Sequence, residues 1–74
     1  MKPRDATELD KSIGIKIRMY RRAEGLKQQQ LADCLQISFQ QLQKYERGSN
    51  RIPASRLYEL ASVLKRNINE FFEG

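Results

Sequence analysis

Apolar residues along this chain recur at three- and four-residue intervals in short stretches, separated by glycine, serine or proline. That spacing places side chains on one face of a helix. The first stretch holds Leu9, Ile13, Ile17 and Tyr20. Thr7 precedes it as an N-cap with Asp10 three positions on, an approximate capping box, and Gly25 suits its C-terminal stop. Ile15 and Met19 fall on the other side of that helix, either as a contact patch or as two ordinary surface residues. A second helix is predicted from about Gln28 to Leu35, with Leu31, Ala32 and Leu35 inward. Only "LQI" separates it from a third, which Ser38 caps and Gly48 ends. "SNRI" then makes a loop, and Pro53 fits the first turn of a fourth helix. In that helix Leu57, Leu60, Ala61 and Leu64 follow the i, i+3, i+4, i+7 pattern. "NINEFFEG" closes with a short helical turn whose Ile68, Phe71 and Phe72 are placed to cap the core. Residues 1–6, "MKPRDA", lack periodicity and read as a mobile arm, which leaves 7–74 as one domain. No segment alternates with period two over a strand's length, so the expected fold is all-α with five short helices.

Helices two and three, joined by so tight a turn, form a helix-turn-helix candidate. Such helices cross steeply and need a small residue at their closest approach, where Ala32 is placed. Leu31, Leu35, Ile37, Leu42 and Tyr45 fill the wedge between them and the rest of the domain. With Leu42 at the centre of the third helix's buried side, steps of about 100° per residue put Gln40 and Lys44 almost opposite. Gln41, Gln43 and Arg47 flank them, while Glu46 turns back toward the body. The outer face therefore carries donors and acceptors but no acid. Gln pairs bidentately with adenine, and Lys or Arg with guanine, in a groove wide enough for one helix. The competing reading is a solvated face on which Gln serves only as a good helix former.

Charge and cysteine content narrow the function classes. Fourteen Lys and Arg against nine Asp and Glu give a net charge of +5 and a pI near 9.7, which favours a polyanionic partner. With no histidine and one cysteine, Cys34, the chain has neither an internal disulfide nor an ordinary zinc site, and a lone thiol fits a reducing cytoplasm. There are no paired carboxylates across a plausible cleft and no Gly-rich phosphate loop, so catalysis is not expected, and no cofactor, metal or small-molecule effector is indicated. No apolar run approaches the roughly 18 residues of a membrane span, and the charged start has no signal-peptide core.

The stretch "IGIKIRMYRRAEGLKQQQLADCLQISFQQLQKYERGSNRIPASRLYELASVLKRNINEFF", residues 13–72, resembles the helix-turn-helix domain of phage repressors, Cro proteins and small bacterial regulators, the Xre or Cro/C1 family. "GLKQQQLA", "ISFQQLQKYERG" and "RLYELASVL" carry the match in combination. The resemblance implies a compact lambda-repressor-like fold and double-stranded DNA as partner. It implies that Gln28, first in the second helix, binds a DNA phosphate while bracing the third. Base reading falls on Ser38, Phe39, Gln40 and Gln43, with Lys44 beside them. The loop after the third helix, with Arg47, Ser49, Asn50 and Arg51, is implied to lie along the backbone. An ion pair between Arg21 and Glu46 is implied as a structural anchor. Two positions depart from the pattern. Gln36 stands where the turn often has a left-handed glycine, so the turn is expected to differ or to be strained. Phe39 stands where a polar base-reading residue is common, and either touches a thymine methyl or is half buried.

The function expected is that of a cytoplasmic, sequence-specific transcriptional regulator, a homodimer on a pseudo-palindromic operator. Its dimer surface is expected around Asn50–Ile52 and Ile68–Phe72, and Gly74 is a possible domain boundary. An antitoxin-type or adaptor interaction module is the main rival, because the same fold serves both. Sequence-independent duplex binding is another.

Overall fold

Thr7 opens the first helix as its spacing from Asp10 predicts. In the computed structural model, which describes residues 7–73, the Thr7 hydroxyl accepts from the Asp10 N–H, and the Asp10 carboxylate accepts the Thr7 N–H at 2.7 Å. Helix α1 runs Glu8–Ala23, with acidic residues in its first turn and arginines in its last, both favourable to the helix dipole. Helices α2 (Gln28–Leu35), α3 (Phe39–Arg47) and α4 (Ala54–Val63) follow, then a 3-10 turn at Ile68–Phe71. No strand occurs among the described residues. Among the described residues the fold is all-helical with four α-helices, and the short helical turn expected in "NINEFFEG" is a 3-10 turn. Its four residues are too few for an α-helical ladder, and the Asn67 side chain caps it by accepting from the Asn69 N–H. The sequence reading of residues 1–6 as an arm and of Gly74 as a boundary lies outside the described residues.

Ile17, Leu31, Ala32, Leu42, Leu60, Leu64 and Phe71 are completely buried and form the centre of the core. Three expected core positions are corrected. Leu9 is 49% exposed, because the buried stripe of α1 is rotated by one residue and enters through Asp10, which the capping box holds inward. Of the three C-terminal apolar residues only Phe71 enters the core, while Ile68 and Phe72 are 37% and 51% exposed. The terminal turn is anchored from α1. Tyr20 packs edge-on against Phe71 at 5.2 Å between ring centroids, its hydroxyl donates to the Glu70 carbonyl at 3.0 Å, and Arg66 lies 4.6 Å over its ring.

Gln36 keeps the left-handed backbone that glycine would supply at the α2–α3 turn, with φ 57° and ψ 41°. For a non-glycine residue that conformation costs about 1–2 kcal/mol. Arg56 of α4 compensates by donating to the Leu35 carbonyl at 2.9 Å, satisfying an acceptor that the end of α2 leaves free. Arg56→Ala is therefore expected to lower unfolding free energy by about 1–2 kcal/mol, read as a lower urea midpoint at unchanged slope.

Two glycines fix α3 against α1. Gly14 sits at the closest approach, where a Cβ would lie 2.7 Å from the Glu46 carbonyl oxygen and closer still to that of Tyr45. Gly48 ends α3 at φ +70°, and a Cβ there would come within 2.5 Å of the Lys11 Cα. Backbone-to-backbone packing of this kind sets the position of α3 more rigidly than side-chain contacts alone.

Candidate nucleic-acid interface

Ser38 caps α3, its hydroxyl accepting from the Gln41 N–H at 3.0 Å. The helix then divides as its sequence predicts. Leu42, Tyr45 and Glu46 are buried, whereas Gln40, Lys44 and Arg47 are exposed and Gln41 and Gln43 are half buried. Phe39 is also half buried, which is one of its two expected environments.

Glu46 is the hub that orients this face. Arg21 of α1 donates Nε to Glu46 Oε2 at 2.7 Å and Nη2 to Oε1 at 3.2 Å, and its Nη1 reaches the Leu26 carbonyl at 2.8 Å. Gln28 of α2 donates Nε2 to Glu46 Oε1 at 3.0 Å. One carboxylate thus ties together α1, α2 and α3. The ion pair between Arg21 and Glu46 is present as the resemblance implies, and so is the bracing of α3 by Gln28. Both charged side chains are almost fully buried, so the pair acts through position, each charge being tolerable only because the other is there.

Gln28 also has a free side. It is the first residue of α2, so its backbone N–H has no acceptor within the helix and points out with the positive end of the dipole. Its side-chain amide uses one N–H on Glu46, leaving a second donor and the carbonyl oxygen. Gln28, Gln43 and Arg47 line one cleft of about 170 Å³ with Glu46, and the fifth lining residue is Arg18 of α1. The expected site residues therefore fall into two groups. Gln28, Gln43 and Arg47 converge on the cleft. Ser38, Gln40 and Lys44 lie on the exposed side of α3, and Ser49, Asn50 and Arg51 lie in the loop beyond it, with Ser49 and Arg51 exposed. Arg18 escaped the sequence reading. Its place one turn before Arg21, on the side of α1 that meets α3, is the signal that finds it.

The arrangement suits an anionic, ribbon-like ligand: a polar helix face free of acids, beside a cleft with excess positive charge. Among the described residues no cluster of three or more His, Cys, Asp or Glu is placed to hold a metal ion. No helix is long and apolar enough to cross a membrane.

The HTH_3 helix-turn-helix family model matches residues 17–71, from the middle of α1 to the terminal turn. The chain belongs to the helix-turn-helix family. An uncharacterized HTH-type transcriptional regulator of Rickettsia conorii is 51% identical over 67 residues, a match covering 90% of this chain and 54% of that protein. The helix-turn-helix chain spans about half the length of the curated relatives it matches. Among solved structures, the restriction-modification controller protein C.AhdI from Aeromonas hydrophila is 27% identical with a TM-score of 0.79, covering 85% of this chain and 96% of that one. The BldD DNA-binding domain of S. venezulae is 28% identical with a TM-score of 0.79, covering 90% and 100%. The match spans the α2–α3 unit together with its supports, so the tight turn at Gln36 and the anchored α3 belong to a helix-turn-helix domain of the Xre/Cro-C1 type.

Proposed function

We propose that this helix-turn-helix domain is the sequence-specific DNA-binding unit of a transcriptional regulator, with α3 reading bases in the major groove. The observation that carries the proposal is the outer face of α3. Gln40 and Lys44 are exposed there, Gln43 and Arg47 flank them, and the helix's one acid is buried against Arg21. A solvated face with no further role would gain from acids paired at i, i+4, whereas a face meeting phosphate and base edges excludes them. Gln40 and Gln43 read adenine, Lys44 guanine, and the half-buried Phe39 meets a thymine methyl. Gln28, Arg47, Ser49, Asn50 and Arg51 hold the phosphates on either side, setting register without reading sequence. The regulator name carried by the Rickettsia relative supports the regulatory part of this reading.

The domain acts as a homodimer on a two-fold symmetric operator. Support comes from the surface formed by α4 and the terminal turn, where Tyr58 is 70% exposed beside a groove of about 350 Å³ bordered by Ala61, Arg66 and Ile68. Ile52, by contrast, packs against the core, which leaves the C-terminal half of the expected dimer surface as the better candidate.

In-vitro selection from random duplexes, followed by Gln40→Ala on the winning site, tests the reading. The parent is expected to enrich a symmetric site, and the variant to lose about 1–3 kcal/mol while relaxing preference at one or two base pairs. Equal weakening on every sequence would remove base reading from Gln40. No enriched site at all would reduce the domain to a non-specific duplex binder.

A further inference from the structure

Resting on the DNA-binding reading above, we infer that Arg18 of α1 is a further phosphate-binding residue, which joins Gln28 and Arg47 on one backbone phosphodiester in the cleft between α1, α2 and α3. The DNA-contacting surface then extends beyond α2, α3 and the following loop to the first helix.

The inference starts from charge accounting inside the cleft. Its lining residues are Arg18, Gln28, Gln43, Glu46 and Arg47. Glu46 is the one acid, and both its oxygens are taken: Oε2 by Arg21 Nε, Oε1 by Arg21 Nη2 and by Gln28 Nε2. With Arg21 neutralising Glu46 from behind, the guanidiniums of Arg18 and Arg47 remain as uncompensated charge. Among the described residues neither the Arg18 nor the Arg47 side chain makes an ion pair or a hydrogen bond, although Glu8, Glu59 and Glu24 find basic partners at Lys11, Arg56 and Lys65. Two like charges facing one cleft repel each other until an anion enters between them.

The neutral groups point to the same ligand. Gln28 brings an unused side-chain N–H and the free backbone N–H at the start of α2, and Gln43 brings a side-chain amide from α3. Planar guanidinium forks and amide donors around a tetrahedral oxyanion are the usual means of holding a phosphate. The cleft volume of about 170 Å³ far exceeds the roughly 15 Å³ a single water requires, so it admits a phosphate group with part of its hydration shell. Gln43 links the seat to specificity. Lying half buried between the cleft and the outer face of α3, it is held in register when the phosphate is in place.

The experiment measures duplex affinity across a salt series for the parent, Arg18→Ala and Arg18→Lys, on the selected site and on a scrambled duplex. Arg18 is exposed, and thermal melts of all three proteins establish that they are folded. Arg18→Ala is expected to weaken binding to both duplexes by the same factor and to flatten the slope of log K against log salt by about 0.9, the value of one phosphate contact. Arg18→Lys, which keeps the charge but loses the fork, is expected to keep the slope at lower affinity. An unchanged slope in Arg18→Ala, with the parent binding normally, overturns the assignment of Arg18 and leaves the DNA-binding reading intact. A loss confined to the selected site would make Arg18 a sequence reader and also overturn the assignment. A parent that binds neither duplex overturns both readings together.

Discussion

Glu46→Ala is expected to lower the free energy of unfolding by about 3–5 kcal/mol, the cost of leaving a buried charge without its partner. A domain of this length has only about 4–11 kcal/mol in total, at roughly 0.05–0.15 kcal/mol per residue. The variant should therefore lie near its unfolding transition at room temperature, measurable as a large drop in urea midpoint by circular dichroism. The loss comes mainly from what remains. Arg21 would keep only the Leu26 carbonyl, and the Gln28 amide would lose its acceptor. Glu46→Gln should lose less, because the amide oxygen still accepts from Arg21, but the guanidinium stays uncompensated. The double variant Arg21→Met/Glu46→Leu separates charge from position. Apolar residues of similar volume often replace a buried pair at little cost, so most of the stability should return. DNA affinity should not return with it, since nothing then holds Gln28 or fixes the approach of α2 to α3. A single variant that loses under about 1 kcal/mol would show that solvent reaches the pair and that it behaves as a surface bridge.

The helices themselves were legible because their signals are local. Thr7 with Asp10, Ser38, Gly48 and the leucines of α4 each act within a turn or two of chain, and each predicted element lies where those residues place it. The misreadings share a different cause. Leu9 fits the period of Ile13 and Ile17 as well as Asp10 does, and only the capping box, with the side that meets α3, decides which of the two turns inward. The terminal turn has too few residues for periodicity to separate Phe71 from Ile68 and Phe72, so the choice rests on where Tyr20 stands. At the site, the outer face of α3 follows from arithmetic on one helix. The cleft takes residues from three helices, and the place of Arg18 one turn before Arg21 becomes a signal only once the side of α1 that meets α3 is known. Gln36 carries a further lesson: a residue type ill suited to a left-handed turn is held there by Arg56, a support 20 positions away that no local rule contains.

Gly14→Ala sets two effects of opposite sign against each other. Inside a helix, alanine is favoured over glycine by about 1 kcal/mol, so on propensity alone the change in the middle of α1 should stabilise the domain. Packing opposes it. The new methyl would meet the carbonyl oxygens of Tyr45 and Glu46, with the Glu46 oxygen 2.7 Å away, well inside ordinary contact. Those oxygens belong to the backbone of α3 and cannot rotate aside as a side chain would, so α1 and α3 must separate. Separation strains the ion pair between Arg21 and Glu46 at the next turns and loosens the apolar contacts around Ile17 and Leu42, all of them buried. Overpacking costs of about 1–3 kcal/mol are usual where side chains can adjust, and a backbone collision belongs at or above the upper end. The expected net result is a loss of about 2 kcal/mol or more after the propensity gain, read as a lower urea midpoint. Because α3 would shift as a body, the folded fraction should also bind its selected duplex less tightly, although position 14 is buried and touches no ligand. A Gly14→Ala domain as stable as the parent would mean that α3 can move away from α1 at no cost. The register of the base-reading face would then depend on Gln28 and Glu46 alone, and the Glu46 variants would be the more severe of the two for binding as well as for folding.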